Sequence, residues 1–184
     1  MDLNLILESL ATLFGVLYIL LAVYERRMAW LFGIASSGIA IYFFLGANLY
    51  SESLLYVYYV LAGLYAWIYW GKNPESRSIK MMRKSEVLAY ILLGVVLSSA
   101  LGFAFSKTDA AYPYFDAATS MFSFIATWLT ARKILENWLF WIVIDLASAA
   151  LYAMKDLYLL SALMLVYTAV AIFGYLKWKR SQFA

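Results

Sequence analysis

Residues 30–70 read WLFGIASSGIAIYFFLGANLYSESLLYVYYVLAGLYAWIYW, and residues 138–178 read WLFWIVIDLASAALYAMKDLYLLSALMLVYTAVAIFGYLKW. Laid over one another without a gap, they pair Trp30 with Trp138, Leu31 with Leu139, Phe32 with Phe140 and Ile34 with Ile142. Further along, Leu49 meets Leu157, Tyr50 meets Tyr158, Ser53 meets Ser161 and Leu55 meets Leu163, and Tyr59/Tyr167 and Trp70/Trp178 complete the set. Ten of 41 positions are identical. Apolar composition inflates chance matches, so the weight rests on the Trp and Tyr anchors at one fixed offset. The alternative is a pair of unrelated hydrophobic hairpins.

The solvent of such a chain follows from its composition. It has 184 residues, 66% hydrophobic and 14% charged, with a mean hydropathy of +0.79. A soluble domain is roughly half apolar and about a quarter charged, and one of this size buries only about 70% of its chain surface. Lipid must take up the remainder. There is no cysteine and no histidine, which excludes disulfides, thiolate metal sites and thiol nucleophiles, and removes the usual proton shuttle and metal ligand. No cofactor, no metal and no nucleic-acid partner is expected. The net charge of +3 is spread over short loops and reads as topology. The first apolar stretch, Leu3 to Val23, lacks a basic start and ends in Tyr24-Glu25-Arg26-Arg27, so it reads as a retained helix and not as a signal peptide.

A membrane span needs about 20 mostly apolar residues. Cutting at charges and turn residues predicts seven transmembrane helices at 3–24, 28–45, 53–70, 86–105, 116–131, 137–154 and 157–176. The loops between them alternate in charge. Arg26, Arg27, Lys72, Arg77, Lys80, Arg83, Lys84, Arg132, Lys133, Lys177, Lys179 and Arg180 fall on one side, and only Lys107 and Lys155 on the other. That is 12 of the 14 basic residues against 2. The positive-inside rule places the N-terminus outside and the C-terminus in the cytoplasm, and an even number of spans would break the alternation.

The expected architecture is an all-α integral membrane domain over residues 1–184, with repeat one at about 3–70, a linking helix at about 86–105 and repeat two at about 116–178. Three helices per unit and one linking helix make both copies cross the membrane in the same sense. Parallel repeats of this kind are a transporter plan, with the site at the repeat interface near the midplane.

Polar residues inside spans are costly and therefore informative. Span five carries Asp116, Thr119, Ser120, Ser123, Thr127 and Thr130, at spacings that share a helical face. Span six carries Trp138, Trp141, Asp145, Ser148 and Tyr152 in one stripe. Ser and Thr are also ordinary packing residues between membrane helices. Asp145 is another matter, since an ionised Asp at mid-depth costs about 2.5–3.5 kcal/mol on insertion scales. No Lys or Arg occurs inside a predicted span, so Asp145 is protonated, held by hydroxyls, or awaits a cation that a ligand brings. Trp138 doubles as a plausible interfacial anchor, whereas Trp141 sits deeper. An indole beside a carboxylate suits a flat cationic heteroaromatic ring, with cation–π attraction of about 0.5–2 kcal/mol. Span three adds Tyr56, Tyr59 and Trp67 at near-helical spacing.

The run ENWLFWIVIDLASAALYAMKDLYLLSALMLVYTAVAIFGYLKWKR (Glu136 to Arg180), preceded by PYFDAATSMFSFIATWLTARK, resembles the PnuC family of bacterial vitamin transporters. The first half resembles it too, through WLFGIASSGIAIYFFLGANLYSESLL and LYAWIYW. The resemblance covers most of the chain, and the NWxxW run is its most specific part. It implies a three-plus-one-plus-three fold like the full-length SWEET sugar transporters. It also implies facilitated diffusion across the cell inner membrane, trapping of the vitamin by cytoplasmic phosphorylation, and a homotrimer. Members differ in cargo among nicotinamide riboside, thiamine and riboflavin. The amide side chains of the nicotinamide riboside carriers fall, by the resemblance, at Tyr56, Gly63, Asp145 and Phe173, and all four amides are absent here. That loss favours thiamine, with nicotinamide riboside as the alternative.

Three classes are thus weighed. A vitamin facilitator predicts substrate contacts at Trp138, Trp141, Asp145, Ser148, Tyr152, Thr119, Ser123, Tyr56 and Tyr59, with the cation held between Trp141 and Asp145 as two rigid units rock. A non-transporting membrane scaffold predicts a purely structural repeat. An intramembrane enzyme would have to work with Asp145 and Ser148 alone, which is too slight a constellation, so no enzymatic activity is expected.

Overall fold

The computed structural model describes residues 3–46, 50–72, 78–108 and 112–182. Asp2, Leu49, Pro74 and Arg77, and the side chains of Tyr50 and Lys72, lie outside the described residues. The described chain forms α1 (Leu3–Val23), α2 (Ala29–Gly46), α3 (Tyr50–Lys72), α4 (Lys84–Phe105), α5 (Pro113–Ala131), α6 (Asn137–Met154) and α7 (Tyr158–Gln182). Among the described residues the only strand-like pairing is one parallel bridge between Lys80 and Ile134. The fold is all-α.

Among the described residues, α1, α2, α4, α6 and α7 are long and apolar enough to cross a membrane. The other two, α3 and α5, have 23 and 19 residues, near the length a span requires at about 1.5 Å per residue. Their Tyr, Ser and Thr content lowers hydropathy and leaves length untouched. Several helices also run past the charge-defined limits. The fifth starts at Pro113, three residues before the expected Asp116, because a proline at the first helical position gives up no hydrogen bond. The seventh continues through Lys177, Lys179 and Arg180, whose basic side chains suit a helix C-terminus.

The chain divides into two compact units, Met1–Ser78 and Ile79–Ala184. In the first, α1 packs on α2 and α2 on α3; in the second, α4 packs on α5, α5 on α6 and α6 on α7. The linking helix thus groups with the helices that follow it. It presents Gly94, Ser98 and Gly102 as its buried residues, four apart and so on one face. A Cβ on Gly94 would press into the Phe122 ring, and one on Gly102 would come within 3.0 Å of Tyr114 Cα. Small residues let membrane helices approach this closely. The segment leading into α4 is stitched to the α5–α6 turn by Lys80 N–H to Lys133 O (2.9 Å), Leu135 N–H to Lys80 O (2.8 Å), and Met82 N–H to the Glu136 carboxylate (3.0 Å).

The offset of 108 residues reappears in the backbone. Adding it to α2 gives the limits of α6, to the end of α1 the end of α5, and to the start of α3 the start of α7. The turn after α1 closes with Glu25 N–H to Ala22 O (3.0 Å) and Arg26 N–H to Leu21 O (2.9 Å). The turn after α5 closes with Lys133 N–H to Thr130 O (3.0 Å) and Ile134 N–H to Leu129 O (3.0 Å). Both are Schellman caps, in which a left-handed residue lets two amides reach back to the last carbonyls. Glu25 and Lys133 both have φ of 54°. The next helices then start alike, through Ala29 N–H to Arg26 O and Asn137 N–H to Ile134 O.

Side chains repeat at the same register. The Trp30 and Trp70 rings meet edge to face at 5.5 Å and 86°, and those of Trp138 and Trp178 at 5.4 Å and 89°. Each pair pins together the two helices of a hairpin. Trp138 is 4% exposed and is closed in on its other side by Gly174. A Gly174→Ala side chain would stand 2.8 Å from three atoms of the Trp138 six-membered ring, too close to be accommodated without a shift. It is expected to destabilise the protein by about 1–3 kcal/mol, the usual cost of overpacking. Thermal unfolding of the purified variant in detergent checks this, and an unchanged Tm would show that α6 and α7 part freely.

Candidate functional site

The polar residues of the second unit fall into separate groups. At one end, Lys155 Nζ donates to both oxygens of Asp116, at 3.2 and 3.0 Å. Asp116, the first acidic residue of the span-five stripe, thereby joins the start of α5 to the end of α6. The Thr119 hydroxyl donates to Asp116 O (3.0 Å) and that of Ser123 to Thr119 O (2.8 Å). Both satisfy themselves on their own helix, as hydroxyls between membrane helices commonly do.

At the other end of α5, Thr130, Asn137 and Trp141 form a connected set. The Asn137 amide NH2 donates to Ile134 O, the Thr130 hydroxyl donates to Asn137 Oδ1 at 2.9 Å, and the Trp141 indole N–H donates to Thr130 Oγ1 at 3.2 Å. The single Thr130 hydroxyl proton is shared with Ala126 O, one turn back on its own helix at 2.8 Å. Asn137 has no exposed surface. Sequence reasoning placed Thr130 on a polar face and left Asn137 unremarked, although the Asn sits inside the NWxxW run.

One turn along α6 from Trp141 stands Asp145, 7% exposed. Among the described residues none donates a hydrogen bond to its carboxylate, and Lys155 is committed to Asp116. Ser148 and Tyr152 continue its face, both half-buried. Tyr167 of α7, also half-buried, lies within electrostatic reach of the carboxylate. Tyr167 was not foreseen as a site residue, although its repeat counterpart Tyr59 was. Trp138, one heptad before Asp145, is a core wedge against Gly174 and Trp178, and its buried indole N–H has no hydrogen-bond acceptor among the described residues. The N–H of Trp30, its counterpart, is likewise buried with no acceptor among the described residues.

Tyr56 and Tyr59 belong to the first unit. Tyr56 stacks on Phe44 at 5.3 Å and meets Tyr59 edge to face at 5.6 Å. Arg27 closes the far end of this unit, its guanidinium 3.8 Å from the centre of the Trp67 ring and its Nε–H donating to Trp67 O at 2.7 Å. A groove of about 530 Å³ runs between α4, α5 and α6, walled by residues such as Ile91, Phe122, Leu139, Phe140 and Val143. It lies on the side of α6 away from Asp145 and has an almost wholly apolar wall, as a lipid-facing surface does. Among the described residues no group of three or more acidic residues is placed to hold a metal ion.

Comparison with known proteins gives this arrangement its context. The profile of the nicotinamide mononucleotide transporter family matches residues 5–180. The chain belongs to this family. It is 25% identical over 204 residues to the nicotinamide riboside transporter PnuC of Escherichia coli K12, covering 95% of this chain and 85% of that one. It is 23% identical over 189 residues to the PnuC transporter of Neisseria mucosa, covering 95% and 72%. The fold matches the crystal structure of the vitamin B3 transporter PnuC with a TM-score of 0.74, over 96% of this chain and 81% of the other at 23% identity. A protein of this family is an integral membrane transporter, and its relatives are carriers and not enzymes.

The expectation of thiamine finds no support among the family members matched here, which are named for nicotinamide riboside. That expectation treated lost amides as lost partners for a hydroxylated cation. A carboxylate accepts hydrogen bonds from hydroxyls and amide N–H groups as readily as an amide oxygen does. Its charge also matches a pyridinium. Asp145 in place of an amide is therefore no argument against such a ligand.

Proposed function

We propose that the protein takes up nicotinamide riboside by facilitated diffusion, binding the pyridinium ring against Trp141 with Asp145 as counter-ion. The observation that carries this reading is a buried carboxylate without a donor or a cation among the described residues, one helical turn from an indole. Such a group is expensive in a membrane unless a ligand completes it. The names of the family relatives supply the cargo. Tyr167 lies within electrostatic reach of the same carboxylate, Ser148 and Tyr152 follow it on its helix face, and all three suit ribose hydroxyls. The loop charges support an inner-membrane orientation with the N-terminus outside. The shared turn geometry and Trp pairs support a parallel, SWEET-like repeat, and the homotrimer rests on the family resemblance.

Calorimetric titration of the detergent-purified protein tests the cargo. Saturable binding of nicotinamide riboside is expected, with thiamine and riboflavin at least about tenfold weaker, a difference of about 1.4 kcal/mol. Preference for thiamine would overturn the cargo and keep the carrier. Silence from all three would favour a scaffold.

A further inference from the structure

Three side chains of the second unit are missing from an otherwise equivalent backbone in the first. At the offset of 108, Thr130, Asn137 and Trp141 correspond to Ala22, Ala29 and Gly33. The intervening turn forms with the same main-chain bonds in both units, so it does not need the Thr130–Asn137 pair to fold. The aromatic ring has also changed helices. In the first unit the Tyr18 ring of α1 lies 3.0 Å from where a Cβ on Gly33 would stand. In the second, Ala126 replaces the tyrosine and the ring belongs to α6, as Trp141. That is the helix carrying Asp145.

We infer that Thr130 is a positioning residue for vitamin binding: it fixes the Trp141 ring in the attitude that presents its face beside Asp145, and Asn137 holds Thr130 in turn. The inference rests on the reading that the vitamin binds against Trp141 and Asp145. Indole N–H is a donor only and needs an acceptor. The Asn137 NH2 is committed to Ile134 O, which turns its oxygen to the Thr130 hydroxyl and leaves a Thr130 lone pair for the indole. All three donors point the same way along the chain, so each bond polarises the next. Threonine adds a stiff χ1, and a ring fixed before binding need not be ordered by the ligand.

The test combines three substitutions with calorimetry on nicotinamide riboside. Thr130→Val keeps the shape and removes the acceptor, and it is expected to weaken binding about fivefold, one net hydrogen bond's worth. Thr130→Ser restores the acceptor and should return the affinity to within about twofold. In a Trp141→Phe background, which has no indole N–H, Thr130→Val should cost nothing further. An equal loss in both backgrounds would overturn the inference, because Thr130 would then act through packing alone. Unchanged affinity of Thr130→Val in the native background would overturn it as well. If the native protein fails to bind nicotinamide riboside, the cargo reading falls and the indole resonance decides the inference. In 15N-tryptophan-labelled protein the Trp141 N–H signal, identified by its loss in Trp141→Phe, should move upfield in Thr130→Val and return in Thr130→Ser. A signal that stays in place would show that no such bond exists.

Discussion

Asp145→Asn is expected to weaken nicotinamide riboside binding roughly 10- to 150-fold, the span of about 1.5–3 kcal/mol for a charged hydrogen bond. The substitution keeps the shape of the side chain and removes its charge. Asp145 is 7% exposed with no cationic partner among the described residues, so the native carboxylate is a burden on the folded protein that the ligand relieves. A neutral amide carries less of that burden in a low-dielectric surrounding. The variant should therefore unfold at the same temperature as the native protein or a higher one. Calorimetry paired with thermal unfolding separates the two effects. Full affinity in Asp145→Asn would remove the counter-ion role, and a lowered Tm would assign the carboxylate to folding.

The second large effect is structural. Trp138→Ala is expected to cost about 3–5 kcal/mol, the usual penalty for truncating a buried aromatic side chain. Trp138 is 4% exposed and Trp178 is fully covered, and their rings meet at 5.4 Å. Trp178→Ala should cost a similar amount, and the double variant less than the sum, because the two rings fill one space. Leu159→Ala, at a side chain 86% exposed, serves as the reference. A Tm loss in Trp138→Ala no larger than in Leu159→Ala would mean that the perpendicular pair does not hold the α6–α7 hairpin.

The seven helices were legible because spans in lipid are written in runs of apolar residues broken by charges. Helix α6 is predicted at its observed limits, since Lys133 and Glu136 before it and Lys155 after it mark both ends. Elsewhere a charge inside a helix was read as its end, at Asp116 for α5 and at Lys177 for α7, because hydrogen bonding continues to Pro113 and Gln182 where hydropathy has already fallen. The Trp and Tyr anchors of the repeat were legible for the same reason that they matter, as large rings at fixed register. Asp145 and Trp141 stood out by cost and by chemistry. What stayed hidden was the state of individual hydroxyls. Nothing in the composition of α5 distinguishes Thr119 and Ser123, which bond only their own helix, from Thr130, which also bonds across to α6. The bond between Asn137 and Thr130 needed the turn to be seen, and the nearness of Tyr167 to Asp145 needed the packing of α7 on α6.

The Schellman turns at Glu25 and Lys133 have a consequence for how such a chain diverges. Each is closed by the same pair of main-chain bonds, with Glu in one copy and Lys in the other at the left-handed position. A frame secured by its backbone and a few Trp knobs places little demand on the remaining residues. Ten identities in 41 then accompany matching helix limits and turn bonds in the two hairpins. One copy carries Thr130, Asn137, Trp141 and Asp145 where its twin has Ala22, Ala29, Gly33 and Ser37, and neither has to follow the other.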